Sequence, residues 1–385
     1  MTKTNNLAKK AGLYIHIPFC ASKCYYCDFS TMPYQDKRID EYFLYLFEEI
    51  NYSYENWKDF EFDTIFLGGG TPNYVPSEKI IQLDKLIKSR FNISEDIEYT
   101  IECNPEYLEK NKVEDYLNCG INRFSVGVQT FNDSILKKLG RLHTGEIAYK
   151  NIMKLKSFGV KNISLDFIMG LPGQKEDSLL NDLNIIKELD VNHISYYDLI
   201  IEDNTRFNFE YKKGNLNLPS EYVNRKYYHE VINFLKHIGI FQYEISNFSK
   251  PGYESKHNLK YWHTMPYAAF GLGASGYNGG IRYTNHHRYK DYINSIKQKV
   301  VPTEIIDNLS KEDRLFEKII MNMRLIEGVS TKKLLEEFGY DIWKDNSELI
   351  KSYEKNNLIK VFDDRIAFTD YGFDISNKFF KDLLI

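Results

Sequence analysis

The stretch Cys20-Ala21-Ser22-Lys23-Cys24-Tyr25-Tyr26-Cys27 decides how this chain is interpreted, because it places three of the five cysteines within eight residues. Such clustering favours a metal site in a reducing compartment over a disulfide framework. The spacing C-x3-C-x2-C lets one loop supply three thiolates to a cubane iron-sulfur cluster. Because fully cysteine-ligated clusters take four thiolates, one iron is left open. The alternatives are a structural zinc loop completed by His16 and chance clustering, although zinc cysteines more often come in C-x2-C pairs.

Short β-branched or aromatic runs alternate with segments of helical periodicity from Gly12 to about residue 200, which indicates repeated βα units and a parallel sheet. The predicted strands are Leu13–Ile17, Thr64–Leu67, Glu98–Glu102, Arg123–Val128, Ile163–Ile168 and His193–Leu199. The helix-like segments include Asp40–Ile50, Ser77–Arg90 with Ser77 as its N-cap, Val113–Cys119 and Glu146–Phe158. Six such units fit an open doubly wound sheet or an incomplete barrel, and hydropathy does not distinguish them.

Unusual residues follow most of these strands directly. Cys20 follows the first strand, Gly68–Pro72 the second, Glu102–Pro105 the third, Gln129 the fourth and Gly170–Gly173 the fifth. Both candidate architectures bind ligands at the carboxyl ends of their strands. Glycines there let backbone groups approach a ligand closely. We therefore expect one site along this edge.

The rest of the chain has a different organisation. Asp203–Pro219 is polar and predicts a transition, followed by a helix over Glu221–His237. Beyond Pro302 the pattern changes to helices near Lys311–Ile326 and Thr331–Phe338, then Leu358–Phe362 and Arg365–Phe368 flanking Asp363-Asp364. Helices followed by a short hairpin are typical of a small winged-helix module. We expect three parts: a core over 11–235, a connecting region over 236–302 and a winged-helix-like domain over 303–385.

Charge and hydropathy limit the partners. The net charge is -4, and residues 303–385 hold 13 Lys and Arg against 17 Asp and Glu, so the C-terminal module lacks the basic footprint of a DNA-binding domain. Met1–Lys10 is polar without a following apolar run, and no apolar run of about 18 residues occurs. We expect a cytoplasmic protein without a membrane segment that binds no nucleic acid.

The sequence Tyr14-Ile15-His16-Ile17-Pro18-Phe19-Cys20, the cysteine spacing and Gly68–Pro72 together resemble the oxygen-independent coproporphyrinogen III oxidase family of radical S-adenosylmethionine (SAM) proteins. The resemblance runs from about Gly12 to the C-terminus. It implies an α/β fold, a partial (β/α)6 TIM-type barrel, followed by the smaller winged-helix-like α+β domain. Electron transfer from the cluster to bound SAM would release a 5'-deoxyadenosyl radical.

The same resemblance implies which residues bind the cofactors. The [4Fe-4S] cluster would be held by Cys20, Cys24 and Cys27. The SAM contacts would be Tyr14, Tyr26, Gly70, Thr71, Glu102, Gln129, Arg141 and Asp166. Glu102 is suited to ribose hydroxyls, and Arg141 to the methionine carboxylate. Asp166 lies on an apolar strand and should face the site, because an unpaired buried carboxylate is costly.

Two features distinguish branches of this family. Where the oxidases resemble C-x3-C-x2-C-x-C, this chain has Phe29 in place of the last cysteine, and it reaches its motif tyrosine already at position 14. Cys27-Asp28-Phe29 and His257-Asn258-Leu259-Lys260-Tyr261-Trp262 are similar instead to the haem chaperone branch. His257 would ligate haem iron, with Tyr261 and Trp262 stacking on the porphyrin. The plainer interpretation is a surface histidine beside a core tryptophan.

The leading hypothesis is a carrier that binds haem as cargo and passes it to recipient haemoproteins, including membrane haemoproteins reached by peripheral contact. The cluster and SAM would support assembly or release, with an electron donor that the sequence does not identify. The first alternative is oxidative decarboxylation of coproporphyrinogen propionates, an activity we do not expect. The second is radical chemistry on another tetrapyrrole. Other histidines and the isolated Cys103 and Cys119 are interpreted as ordinary structural residues.

Overall fold

The structure is a computed structural model that describes residues 9–33 and 35–384. The segment Met1–Lys10 therefore lies outside the described residues except for its last two. The strands are β1 Lys9–Ile17, β2 Phe19–Cys20, β3 Met32–Pro33, β4 Phe60–Gly69, β5 Asn92–Cys103, β6 Arg123–Gln129, β7 Asn162–Met169, β8 His193–Asp198, β9 Phe241–Glu244, β10 Asn247–Ser249, β11 Tyr267–Phe270, β12 Ser275–Tyr277, β13 Ile281–Asn285, β14 Thr303–Asn308, β15 Val329–Ser330, β16 Ile359–Phe362 and β17 Arg365–Phe368.

The helices connect and cover these strands. They are α1 Asp36–Ser53, α2 Ser77–Arg90, α3 Lys110–Asn118, α4 Asp133–Leu139, α5 Gly145–Ser157, α6 Glu176–Leu189, α7 Arg206–Lys212, α8 Glu221–His237, α9 Lys256–Trp262, α10 Tyr289–Lys297, α11 Lys311–Asn322, α12 Thr331–Phe338, α13 Ile342–Lys355, α14 Asp370–Asp374 and α15 Ser376–Asp382. Within the described part of the chain, no helix is both long and apolar enough to span a membrane.

One sheet of twelve strands forms the main body, in the order β14-β13-β12-β11-β1-β4-β5-β6-β7-β8-β10-β9. The strands β1, β4, β5, β6, β7 and β8 pair in parallel and in chain order. A doubly wound sheet reverses its strand order at a switch point, whereas a barrel adds each strand beside the last. The order therefore decides between the two predicted architectures, and the partial barrel is confirmed.

The six predicted strands all occur, but most extend beyond their predicted ends. Strand β5 begins at Asn92, six residues before the predicted Glu98, because its first half is polar and partly exposed and gives no apolar pattern. The predicted N-cap is wrong. Pro76 occupies the N-cap position of α2 without a capping hydrogen bond, while Ser77 lies in the first turn and donates a hydrogen bond from Oγ to Asp115 Oδ2 at 2.5 Å.

The region 236–302, set apart in the sequence as a connection, is continuous with the main sheet. Strands β10 and β9 extend it antiparallel beyond β8, and β11 adds a seventh parallel strand beside β1. Strand β14, which begins the predicted C-terminal part, also pairs with β13 of this sheet. These strands have three to six residues, too few for a periodic pattern.

A buried carboxylate fastens this added region to the barrel. Glu49 on α1 accepts hydrogen bonds from the Gly271 amide at 2.9 Å, Asn285 Nδ2 at 2.7 Å and the Tyr292 hydroxyl at 2.6 Å. Burial raises the pKa of Glu49 to about 7, and these hydrogen bonds oppose that rise. The three donors come from the residues after β11, from β13 and from α10, so one side chain joins three elements.

The C-terminal module has its own hydrophobic core, which includes Ile319, Leu334, Ile350 and Phe368. Helices α11 to α13 precede the antiparallel hairpin of β16 and β17, to which β15 adds a third strand. The hairpin turns at Asp363-Asp364 as predicted. Helix α11 begins with a capping box between Ser310 and Asp313. This arrangement is the predicted winged-helix-like domain.

Candidate metal centre and adjoining cavities

A cavity of about 600 Å³ opens at the carboxyl ends of the parallel strands. It will be called the first cavity. Ten of the twelve residues predicted for the site line it: Cys20, Cys24, Cys27, Tyr26, Gly70, Thr71, Glu102, Gln129, Arg141 and Asp166. The sequence placed some of them along one strand edge and the family resemblance named the others, and the fold brings all ten into one space. Tyr14 and His257 do not line this cavity.

The three clustered cysteines are free thiols on the wall of the first cavity. Thr71 Oγ1 donates a hydrogen bond to Cys20 Sγ at 3.5 Å, and Arg141 Nη1 donates one to Cys24 Sγ at 3.6 Å. Burial raises the pKa of Cys20, and it raises the pKa of Cys27 to about 11. Bound iron would oppose this effect, because a metal ion deprotonates the thiols that coordinate it.

The suggested zinc ligand is already engaged by the protein. Within residues 9–33 and 35–384, no three Cys, His, Asp or Glu side chains converge on one metal position. His16, the suggested zinc ligand, receives a hydrogen bond from the Tyr14 hydroxyl at Nδ1 and donates from Nε2 to the Ser30 carbonyl at 2.9 Å. Burial lowers the pKa of His16 to about 4, so its ring is neutral and both nitrogens are engaged.

Helix α7 supports the cluster loop from outside. The sequence predicted only a polar transition here, yet Thr205 caps this seven-residue helix. The Phe207 amide donates to the Tyr25 carbonyl at 2.9 Å, and the Phe207 ring lies near those of Tyr25 and Tyr26. Arg206 stacks over the Tyr25 ring at 3.9 Å. These contacts hold the stretch between Cys24 and Cys27 in place.

The glycine-rich turn after β4 binds the start of the cluster loop. The Gly70 amide donates to the Ile17 carbonyl at 2.9 Å, and the Thr71 amide donates to the Phe19 carbonyl at 2.8 Å. A Cβ at Gly70 would lie 2.7 Å from the carbonyl carbon of Pro18. The sequence predicted a close approach to a ligand at these glycines. At Gly70, the close approach is to the protein's own backbone, and it fixes where Cys20 enters the cavity.

Two half-buried carboxylates face the first cavity. Glu102 accepts a hydrogen bond from the Gly69 amide at 3.0 Å, and Asp166 accepts one from Ser125 Oγ at 3.0 Å. Burial, and then the charge of Asp166, raise the pKa of Glu102 to about 8. Burial also raises the pKa of Asp166. Buried carboxylates are stabilised by donors, and the hydroxyl and amino groups of SAM are donors of this kind.

Arg141 joins the cluster loop to the neighbouring strands. Its Nη2 donates to Asn104 Oδ1 at 2.8 Å and to the Gly127 carbonyl at 2.7 Å. Its Nε is buried and has no partner in the described part of the chain, which leaves a donor for a ligand carboxylate. Asn104 was not predicted as a site residue, although its Nδ2 also donates to Thr71 Oγ1 at 3.2 Å. Its position after the third strand was the available signal.

Gln129 ends β6 in a conformation that non-glycine residues seldom adopt. Its φ is +69°, and the strand register shifts between Gly127 and Gln129. Asp182 on α6 holds the next two residues, accepting from Thr130 Oγ1 at 2.7 Å and from the Phe131 amide at 2.8 Å. The buried Asp182 therefore supports the turn that directs Gln129 to the cavity.

His257 lies in the interior of the protein, 1% exposed. Its Nδ1 is hydrogen-bonded to Thr64 Oγ1 and its Nε2 to the Tyr261 hydroxyl, both at 2.8 Å, and its ring lies against Phe66. Burial lowers its pKa to about 3, so the imidazole is neutral. In this arrangement neither nitrogen is available to iron. Haem ligation by His257 stays a prediction, and it would require the hydrogen bond at the ligating nitrogen to break.

A second cavity of about 560 Å³ lies on the other side of the cluster loop, and nothing in the sequence indicated it. Tyr14, predicted to contact SAM, lines this second cavity instead. So do Tyr261 and Trp262, the last two residues of the H-N-x-x-Y-W motif. Asp28 and Phe29 line both cavities. The segment directly after Cys27 is thus a wall between them.

The C-terminal module contributes to the outer end of the first cavity. Arg324 and Phe373 line it together with Arg225 and Tyr228 of α8. Asp374, next to Phe373, pairs with Arg225 and also with His229 Nε2 at 3.1 Å. The module is therefore part of the cavity wall, a role that its amino-acid pattern alone did not indicate.

Comparisons with known proteins agree with this geometry. The Radical SAM superfamily model matches residues 14–186, and the HemN C-terminal domain model matches residues 309–375. The fold is similar to coproporphyrinogen III oxidase (HemN) from Escherichia coli, with a TM-score of 0.85 and 22% identity, covering 97% of this chain and 89% of that one.

Curated relatives match over almost the whole chain. The heme chaperone HemW of Lactococcus lactis is 36% identical over 382 residues, which is 98% of each chain. The heme chaperone HemW of Bacillus subtilis is 36% identical and covers 95% of this chain and 97% of its own. That of Escherichia coli is also 36% identical, over 69% of each. The chain belongs to the heme chaperone HemW family of radical SAM proteins.

Proposed function

We propose that this protein binds haem and transfers it to apo-haemoproteins. The observation that carries the proposal is the similarity to relatives named heme chaperone HemW over 95–98% of the chain, which includes both cavities. Phe29 supports the same branch, because it stands at the position of the last cysteine in the oxidase pattern. It is 56% exposed and lines both cavities, so it is accessible to a ligand rather than part of the core.

We further propose that Cys20, Cys24 and Cys27 hold a [4Fe-4S] cluster and that SAM occupies the rest of the first cavity. When bound, such a cluster supplies an open iron for the amino and carboxylate groups of SAM and an electron for its sulfonium. Arg141 would bind the SAM carboxylate through its unpaired Nε, and Glu102 would accept from the ribose hydroxyls. Gln129 and Asp166 would complete the contacts, while Gly70 and Thr71 position the cluster loop.

We infer that the protein works in the cytoplasm, since free thiols around an open cluster need a reducing compartment. Recipients would include haemoproteins at the membrane surface, reached by peripheral contact. An electron donor must also reach the cluster. Asp28 and Phe29 lie on the part of the cluster loop that separates the two cavities.

The oxidase remains a second candidate because its fold is so similar, with a TM-score of 0.85. One preparation separates the two functions. The chain is reconstituted anaerobically with iron and sulfide, then tested for haem binding, for haem transfer to an apo-haemoprotein, and for decarboxylation of coproporphyrinogen III with SAM and reductant. We expect binding and transfer with negligible decarboxylation. Absence of haem binding, or robust formation of protoporphyrinogen IX, would overturn the proposal.

A further inference from the structure

Phe29 and the H-N-x-x-Y-W motif, two of the sequence features that separate this branch from the oxidases, meet in the second cavity. Phe29 reaches it from the cluster loop, and Tyr261 and Trp262 reach it from α9, although more than 200 residues separate them. The side chains of Tyr267 and Tyr277 also line this cavity and make its wall more aromatic. A cavity of about 560 Å³ with aromatic walls suits a flat apolar ligand, because ring faces bind flat ligands by stacking.

Two histidines line the second cavity, and only one has a free nitrogen. His16 is engaged at both nitrogens. His287 is exposed, and its Nδ1 is hydrogen-bonded to Ser30 Oγ at 3.0 Å. No hydrogen bond to His287 Nε2 occurs within the described ranges. In the tautomer in which Nδ1 donates to the Ser30 hydroxyl, Nε2 presents a lone pair, which is the arrangement common in metal-binding histidines.

Resting on the proposed function, we propose that haem binds in the second cavity, with His287 Nε2 as an iron ligand and Phe29 and Trp262 against the porphyrin. The first cavity is the poorer choice, because the proposed cluster and SAM would occupy it. His257 then acts as a positioning residue, since its Nε2 holds the Tyr261 hydroxyl at 2.8 Å in the cavity wall. Ser30 follows Cys27 by three residues, so haem would bind beside the cluster loop.

The test is a titration of the cluster-loaded full chain with haem, read as the Soret difference spectrum against the same protein without haem. His287→Ala should weaken binding about tenfold or more and shift the Soret maximum, because an iron–nitrogen bond is lost. Added imidazole should restore the position of that maximum. The matched control is His286→Ala, whose ring faces Glu304 and does not line the cavity, and it should bind haem as the wild type does.

Two further variants separate ligation from positioning. His257→Ala should weaken binding while leaving the Soret maximum unchanged, because the iron keeps its ligand. Haem should quench the fluorescence of Trp262, one of three tryptophans, and Trp262→Phe should remove most of that quenching. If the wild type binds haem and His287→Ala changes neither affinity nor spectrum, the cavity assignment is wrong although the carrier function stands. If the wild type binds no haem, the proposed function itself fails.

Discussion

The five cysteines differ in what surrounds their sulfurs. Cys20, Cys24 and Cys27 line a cavity and are only partly buried. Cys103 and Cys119 are 3% and 4% exposed and belong to the hydrophobic core. We therefore predict that serine at any of the first three abolishes the cluster, because iron-sulfur centres require thiolate ligands. Iron and sulfide analysis after reconstitution measures this. Ser at Cys119 is the matched control, and equal loss of iron there would contradict the assignment.

Asp182 predicts a pH dependence of stability. Burial raises its pKa from 3.8 to about 7, and its hydrogen bonds to Phe131 and Thr130 oppose the rise. Because the folded pKa is the higher one, its contribution to stability is full below pH 4 and is lost as pH rises through 7. Asp182→Asn keeps both hydrogen-bonding partners but cannot titrate. The wild-type free energy of unfolding, relative to the variant's, should fall by about 3 kcal/mol between pH 4 and pH 8.

Urea unfolding followed by tryptophan fluorescence at four pH values in this range measures the difference. Glu188→Gln on the same helix serves as the control, since its carboxylate lies at an exposed contact with Tyr149. If the free energies of unfolding of the wild type and Asp182→Asn changed with pH in parallel, burial would not raise the pKa of Asp182 as inferred.

At the scale of elements, the turn after β4 determines how the cluster loop begins. A methyl group at Gly70 would lie 2.7–2.9 Å from the backbone of Ile17, Pro18 and Phe19, so these atoms would have to move. We predict that Gly70→Ala destabilises the fold by roughly 1–3 kcal/mol and lowers cluster content. Thermal unfolding and iron analysis measure the two effects. Gly280→Ala is a matched control, because a Cβ there meets nothing within 4 Å. Normal cluster loading in Gly70→Ala would contradict this account.

Sequence reasoning succeeded where the determining signal is local. The apolar strands of the barrel and the ends of α2, α8 and α12 follow from periodicity, and helix α8 has its predicted bounds Glu221–His237. It failed where contacts between distant residues decide the structure. Strand β11 has only four residues and forms by pairing with β1, so the sequence contains no periodic pattern that predicts it. The burial of His257 was not predicted either, because Thr64, which is hydrogen-bonded to its ring, lies on a strand almost 200 residues earlier.

The same reasoning explains which parts of the site were predictable. Residues at strand ends share an edge in any parallel sheet, so Cys20, Gly70, Thr71, Glu102 and Gln129 could be grouped without coordinates. The other cavity residues, such as Arg141 and Asp166, came from the family resemblance alone. The second cavity is different, since it combines Phe29 and Ser30 with Trp262, Tyr277 and His287. Only the antiparallel extension β11 to β13 brings these residues together, and that extension was not predicted.

At the scale of the whole molecule, Asp374 is one of several residues that join the C-terminal module to the barrel, with Glu317 and Asn322. Asp374 does not line the first cavity, but the preceding residue, Phe373, does. Asp374 pairs with Arg225 and His229 of α8. The Arg225 and Asp374 side chains are 29% and 23% exposed, so solvent screens them less than a surface pair. Breaking the pair leaves a partly buried arginine without its nearest charge.

We predict that Asp374→Ala loosens the module from the barrel and lowers the free energy of unfolding by roughly 1–2 kcal/mol. Hydrogen exchange should rise in α8 and α14 while the barrel strands stay protected, because the two hydrophobic cores are separate. The control is Glu146→Ala, which removes an ion pair with Lys150 whose side chains are 73% and 64% exposed and should cost under about 0.5 kcal/mol. Equal effects of the two variants would mean that Asp374 does not hold the module, and that other contacts such as the Arg282–Glu317 pair place Phe373 in the cavity wall.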